Sequence, residues 1–110
     1  NVQTIEFQNE INFKELFKGL KENYVIEQIT IQSGGTLNAE LLRAGLIDRL
    51  SIVVAPVLIG GKDTVTLIDG ESLQNIVELP MVKALKLEEV KQLDHSYLHL
   101  IYRLIPENLE

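Results

Sequence analysis

The residues best suited to chemistry are Ser33-Gly34-Gly35-Thr36-Leu37. Two adjacent glycines admit positive φ and let another group approach closely, because no Cβ stands in the way. At the start of a helix such a turn presents unpaired N–H groups and the positive end of the helix dipole, a setting that suits a phosphate. Thr36 adds a hydroxyl donor. Gly-Gly after a strand also serves as an ordinary tight turn, and the pattern is not G-x-G-x-x-G. No acidic residue ends the next strand, as a dinucleotide-binding fold requires, and no Gly-Lys-Ser/Thr closes a Walker-type loop.

The flanking residues place this turn between a strand and a helix. Val25-Ile26 and Ile29-Thr30-Ile31 form a short β-branched run, which favours strand. Leu37, Leu41, Leu42 and Leu46 then follow at helical spacing, with Gly45 where a C-cap glycine belongs. The stretch from Leu50 to Ala55 is nearly continuous in apolar residues, the pattern of a parallel strand covered on both faces. Upstream, Val2 to Phe7 alternates as a short strand. Asn12 and Glu15 make a capping pair for a helix whose stripe is Phe13, Leu16, Phe17 and Leu20.

Two right-handed crossovers then set three parallel strands side by side. Ligands in such sheets collect at the carboxyl ends of the strands, where Ser33 to Thr36 and the loop Pro56 to Asp63 both lie. Asp48 opens the third strand at the other end and reads as a cap or turn residue of the helix–strand junction rather than a catalytic acid. Downstream, Asp69-Gly70 is a turn signal, Glu71 to Leu79 holds one or two helical turns closed by Pro80, and Val82 to Ile105 is a β-hairpin. Leu98, Leu100, Tyr102 and Leu104 share one face of its second arm, and Tyr97, His99, Ile101 and Arg103 the other. Val90 falls out of phase with Leu85 and Leu87, so a bulge is expected near Glu88-Glu89. The fold class is α/β: a mixed sheet, parallel βαβαβ followed by an antiparallel hairpin.

The chain has 110 residues, 45% of them hydrophobic and 5% aromatic. That length allows one domain, spanning residues 1–110, with an aliphatic core. Without cysteine there is no disulfide, thiolate nucleophile or Cys-ligated metal. A net charge of −6 opposes nucleic-acid binding. No apolar stretch is long enough to span a bilayer, and a cytoplasmic location is the expectation. The closing Leu109-Glu110 reads equally as native sequence or as an expression-vector remnant.

Other chemistry finds little support. His95 sits at a turn and His99 on an alternating strand, with no ligand at metal-binding spacing, so no metal site is expected. Glu88 and Glu89 point to opposite faces of a strand and make a poor acid–base pair. No serine lies in a nucleophile-elbow context, and no catalytic side chain is assigned.

Three linked motifs carry a family resemblance. Gln32-Ser33-Gly34-Gly35-Thr36-Leu37-Asn38, then Leu41 to Asp48, then Ala55-Pro56-Val57-Leu58-Ile59-Gly60-Gly61, together resemble the reductase domain of riboflavin biosynthesis. That domain is the C-terminal part of bacterial deaminase-reductases and the whole of archaeal and fungal diaminopyrimidine reductases. Thr64 to Gly70 resembles the loop that follows in archaeal-type members. The resemblance implies a dihydrofolate-reductase-like fold, NADPH as hydride donor and a homodimer. It also implies reduction of the ribose of a ribosylaminopyrimidinone 5′-phosphate to ribityl, with Ser33, Gly34, Gly35, Thr36 and Leu37 at the cofactor and Gln32 at the substrate. Gln32 stands where the family commonly has Glu, and Ser33 where many members have Gly, which leaves open a homologous reductase with another pteridine-like substrate. The family domain is about twice this length, so the chain matches its C-terminal half. The alternative is a non-catalytic nucleotide-binding or dimerisation module of the same fold.

Overall fold

The computed structural model describes residues 2–106, so Leu109-Glu110 lie outside it. Helix α1 spans Phe13–Tyr24, and the Asn12 side chain caps it by accepting the Glu15 N–H at 3.1 Å. The stripe of Phe13, Leu16, Phe17 and Leu20 is half-buried. Within it Phe13 and Phe17, one turn apart, meet edge to face with ring centroids at 6.2 Å.

Helix α2 spans Gly35–Arg43 and ends as its sequence predicts. Gly45 takes φ +73°. Its N–H bonds Leu42 O at 3.1 Å, and Leu46 N–H bonds Leu41 O at 3.0 Å. This paired closure needs a left-handed residue, which glycine adopts without a Cβ clash.

Strands β1 (Arg49–Val54), β2 (Leu85–Gln92) and β3 (Leu98–Leu104) form one antiparallel sheet in the order β1-β3-β2. The expected hairpin is β2–β3, and its register shifts between Leu87 and Glu89, at the expected bulge. The turn closes with Leu93 N–H on Tyr97 O at 2.8 Å. It carries His95 and Ser96 at φ +62° and +69°. Leu50 and Ile52 of β1 lie opposite Tyr102 and Leu100 on the apolar face. The other face carries Arg49 opposite Arg103, and Arg103 opposite Lys86.

The sheet departs from the expected parallel arrangement. Among the described residues neither Val2 to Phe7 nor Ile26 to Ile31 forms a ladder, and β1 pairs only with β3, antiparallel. Strands are held by their neighbours, and a hydrophobic run without one has no acceptors for its N–H groups. Both faces of β1 were expected to be covered, yet Val53 is 58% exposed and Val54 42%. Ala39 and Leu41 are the buried apolar side chains among the described residues. The Cα radius of gyration is 16.7 Å, against about 13 Å for a compact chain of this length. The aliphatic core expected from composition is therefore open in this chain. Pro80 differs too: it lies inside a short 3₁₀ helix, Ile76–Met81, capped by Asn75, rather than closing a helix at Leu79.

Candidate functional site at the start of the second helix

Gly34 is the N-cap of α2, at φ −82° and ψ 173°. The first intrahelical bond runs from Asn38 N–H to Gly34 O at 3.0 Å. The N–H groups of Gly35, Thr36 and Leu37 are therefore left without intrahelical acceptors, and the dipole favours negative charge there. The space around Gly34 is clear: a Cβ built on it meets nothing within 4 Å.

Gly35 has a different reason to be glycine. It is buried, and a Cβ there would lie 2.5 Å from Thr66 O and 3.1 Å from Asp69 Oδ2. What approaches Gly35 is the chain's own 66–69 loop. Asp69 N–H donates to Gly35 O at 3.2 Å, and the Thr36 hydroxyl donates to Asp69 Oδ2 at 3.0 Å. Asn38 extends the seam, with Nδ2 donating to Leu67 O at 2.9 Å and to Ser33 O at 3.3 Å. The Ser33 hydroxyl donates to Asn38 Oδ1 at 2.6 Å. Gly70, at φ +94°, lies against the Arg43 guanidinium, which donates to Glu71 O at 2.6 Å.

The residues singled out in sequence thus divide. The Ser33 and Thr36 hydroxyl protons are used inside the protein, and Gly35 is covered. The approach at Gly34 and the amides of exposed Thr36 and half-buried Leu37 remain for a ligand. Leu37 is half-buried; Gln32 is exposed and makes no hydrogen bond among the described residues. Thr64 Oγ1 donates to Gly60 O at 2.5 Å, but among the described residues no hydrogen bond joins the 56–63 loop to the turn. Asp69 and Asn38 are the functional candidates that the sequence did not single out. Asp69 looked like a turn residue, and its contact with Thr36 spans 33 positions. The carboxylate sits where the helix dipole favours it and provides a negative charge of the protein's own beside the turn.

A side-chain contact also crosses from β1 to β3. Ser51 Oγ and His99 Nε2 lie 2.7 Å apart. Among the described residues no acid orients the other ring nitrogen, so the pair lacks the third member of a nucleophilic triad.

Comparison with known proteins identifies the family. The family model of the RibD C-terminal domain matches residues 1–98. The chain belongs to that family. It is 38% identical over 53 residues to the 2,5-diamino-6-ribosylamino-4(3H)-pyrimidinone 5′-phosphate reductase of Methanothermobacter thermautotrophicus, covering 48% of this chain and 24% of that protein. It is 32% identical over 73 residues to the riboflavin biosynthesis protein RibD of Actinobacillus pleuropneumoniae, covering 66% and 19%. Among solved structures, Acinetobacter baumannii RibD superposes with a TM-score of 0.73 at 28% identity, over 92% of this chain and 26% of that one. A pyrimidine reductase-like protein of Corynebacterium diphtheriae shares the fold, with a TM-score of 0.69 at 20% identity over 90% and 37%. The chain spans about a quarter of the length of the curated relatives just named.

Proposed function

We propose that this chain is the C-terminal portion of an NADPH-dependent reductase of riboflavin biosynthesis. The parent protein reduces the ribose of a ribosylaminopyrimidinone 5′-phosphate to ribityl. The observation that carries the reading is the start of α2: a clear approach at Gly34 beside amides that lack intrahelical acceptors. A cofactor phosphate would sit at Gly34, where a built Cβ meets no atom within 4 Å. Leu37 and the exposed Gln32 flank it, with Gln32 offering an amide to the substrate. When bound, NADPH supplies the hydride that reduces the ring-opened imine of the ribosylamine. The protein's part is to orient and to exclude water, which demands few catalytic side chains. The seam of Thr36, Asn38 and Asp69 serves this by holding the turn and the 66–69 loop as one rigid unit.

The open core supports the same reading. The runs 2–7 and 26–31 and the free edge of β1 suit parallel strands that gain neighbours in a domain of about twice this length. Among the described residues the outer edge of β2 has no partner strand, which suits a homodimer, and the expected compartment is the cytoplasm. A second reading, a non-catalytic module kept for assembly, is favoured by Asp69, because its charge opposes a phosphate at the same helix end.

Titration of NADPH, with NADH alongside, into this chain and into the longer parent separates the two. Gly34→Asp keeps a good N-cap residue but places a carboxylate in the clear space. Saturable NADPH binding that this variant abolishes is the expected result. Binding by the parent alone would assign part of the site to the rest of the domain. Failure of both to bind would leave the assembly module.

A further inference from the structure

We propose a second ligand site, for a nucleoside polyphosphate, in the cleft at the opposite end of α2 from the glycine turn. A cavity of about 880 Å³ opens there, within the range of small-molecule sites. Lys14, Arg43, Lys83, Lys86 and Arg103 line it, five of the ten lysines and arginines in a chain of net charge −6. Among the described residues the acidic side chain on its wall is Asp48.

Two of these cations are engaged with main-chain oxygens. Arg43 donates to Glu71 O, and Lys83 Nζ donates to Pro80 O at 3.3 Å. Lys14, Lys86 and Arg103 make no hydrogen bond or ion pair with any described residue. Lys86 and Arg103 are direct cross-strand partners of β2 and β3, and Arg103 is also the partner of Arg49. Arg49 is neutralised by Glu88 at 3.1 Å; the other two are not. Like charges directly opposite each other destabilise a sheet, and an anion bridging Lys86 and Arg103 relieves that repulsion. Lys and Arg side chains are the donors that hold phosphate oxygens.

The rest of the wall is apolar. Leu42 and Ile47 lie on one side, with Leu104, Ile105 and Pro106 on the other. Such a wall suits a planar base or ring, which free phosphate lacks, so the class is a nucleoside di- or triphosphate. The backbone fixes the floor: Leu104 N–H bonds Asp48 O at 3.0 Å and Ile105 N–H bonds Ala84 O at 2.9 Å. The nine residues of α2 put this cleft about 13 Å from the turn, too far to be the same phosphate site.

The probes are ATP and inorganic pyrophosphate, titrated calorimetrically into the longer parent, with the 110-residue chain alongside, in metal-free buffer at low salt. We expect saturable ATP binding, tighter than that of pyrophosphate. The double variant K86Q/R103Q should weaken it by about tenfold or more. Without ligand, K86Q/R103Q should melt no lower than the parent, because a repulsion has been removed, and ATP should no longer raise its melting temperature. The proposal falls if the unsubstituted protein does not bind ATP saturably, or if K86Q/R103Q binds it equally well. Loss in Gly34→Asp alone would likewise move the anion to the glycine turn, and equal affinity for pyrophosphate would remove the role of the apolar wall.

Discussion

The two glycines of the turn make opposite predictions. In Gly35→Ala the new Cβ starts 2.5 Å from Thr66 O, a backbone atom that no side-chain rotation can move aside. Restoring ordinary contact needs the 66–69 loop to retreat by about 0.9 Å. That movement strains the Asp69–Gly35, Thr36–Asp69 and Asn38–Leu67 hydrogen bonds together. Overpacking costs about 1–3 kcal/mol, and each weakened hydrogen bond adds roughly 1 kcal/mol at most. A loss of about 2–4 kcal/mol is expected, most of it local to α2 and the loop. Gly34→Ser meets open space at a φ that serine adopts readily, and serine is a good N-cap. Its stability should stay within about 0.5 kcal/mol of the parent, while its side chain intrudes where a ligand would come. The assay is urea denaturation followed by circular dichroism, with amide hydrogen exchange at Asp69 as the local readout. Equal stability losses in both variants, or unchanged exchange at Asp69 in Gly35→Ala, would refute the assignment of Gly35 to the loop and Gly34 to the ligand.

Asp69→Asn keeps an acceptor for the Thr36 hydroxyl and removes a charge beside the N-terminus of α2. It should lower stability by about 0.3–1 kcal/mol through the helix dipole and tighten NADPH binding in the longer parent. Unchanged or weaker binding would show that no phosphate sits at this helix end. Gly45→Ala forces a Cβ into φ +73° and should cost about 1 kcal/mol of stability, read from the urea midpoint. A neutral result would mean that α2 does not end in the paired closure described.

Several local features were legible because they rest on near neighbours in sequence. Asn12 and Glu15 are three positions apart, and their spacing alone specifies a cap. The same holds for Gly45 after Leu41 and Leu42, and for Val90 out of step with Leu87, from which the bulge followed. Three linked motifs were enough to place the family, since their order is as informative as their residues.

The tertiary structure decided what those motifs are for. Gly34 and Gly35 look alike in sequence, yet one faces clear space and the other a carbonyl brought in from Thr66. Asp69, Lys86 and Arg103 gained their meaning only when distant segments met. Nothing in a local pattern records which side chain will stand opposite another across a sheet. The strand runs 2–7 and 26–31 show the converse. Their β-branched residues set a strong preference for extended backbone, but a ladder also requires a neighbouring strand to supply its hydrogen bonds. Sequence determined the caps, the turns and the family of this protein; tertiary contact determined which amides stay available, which carboxylate guards them, and which strands pair.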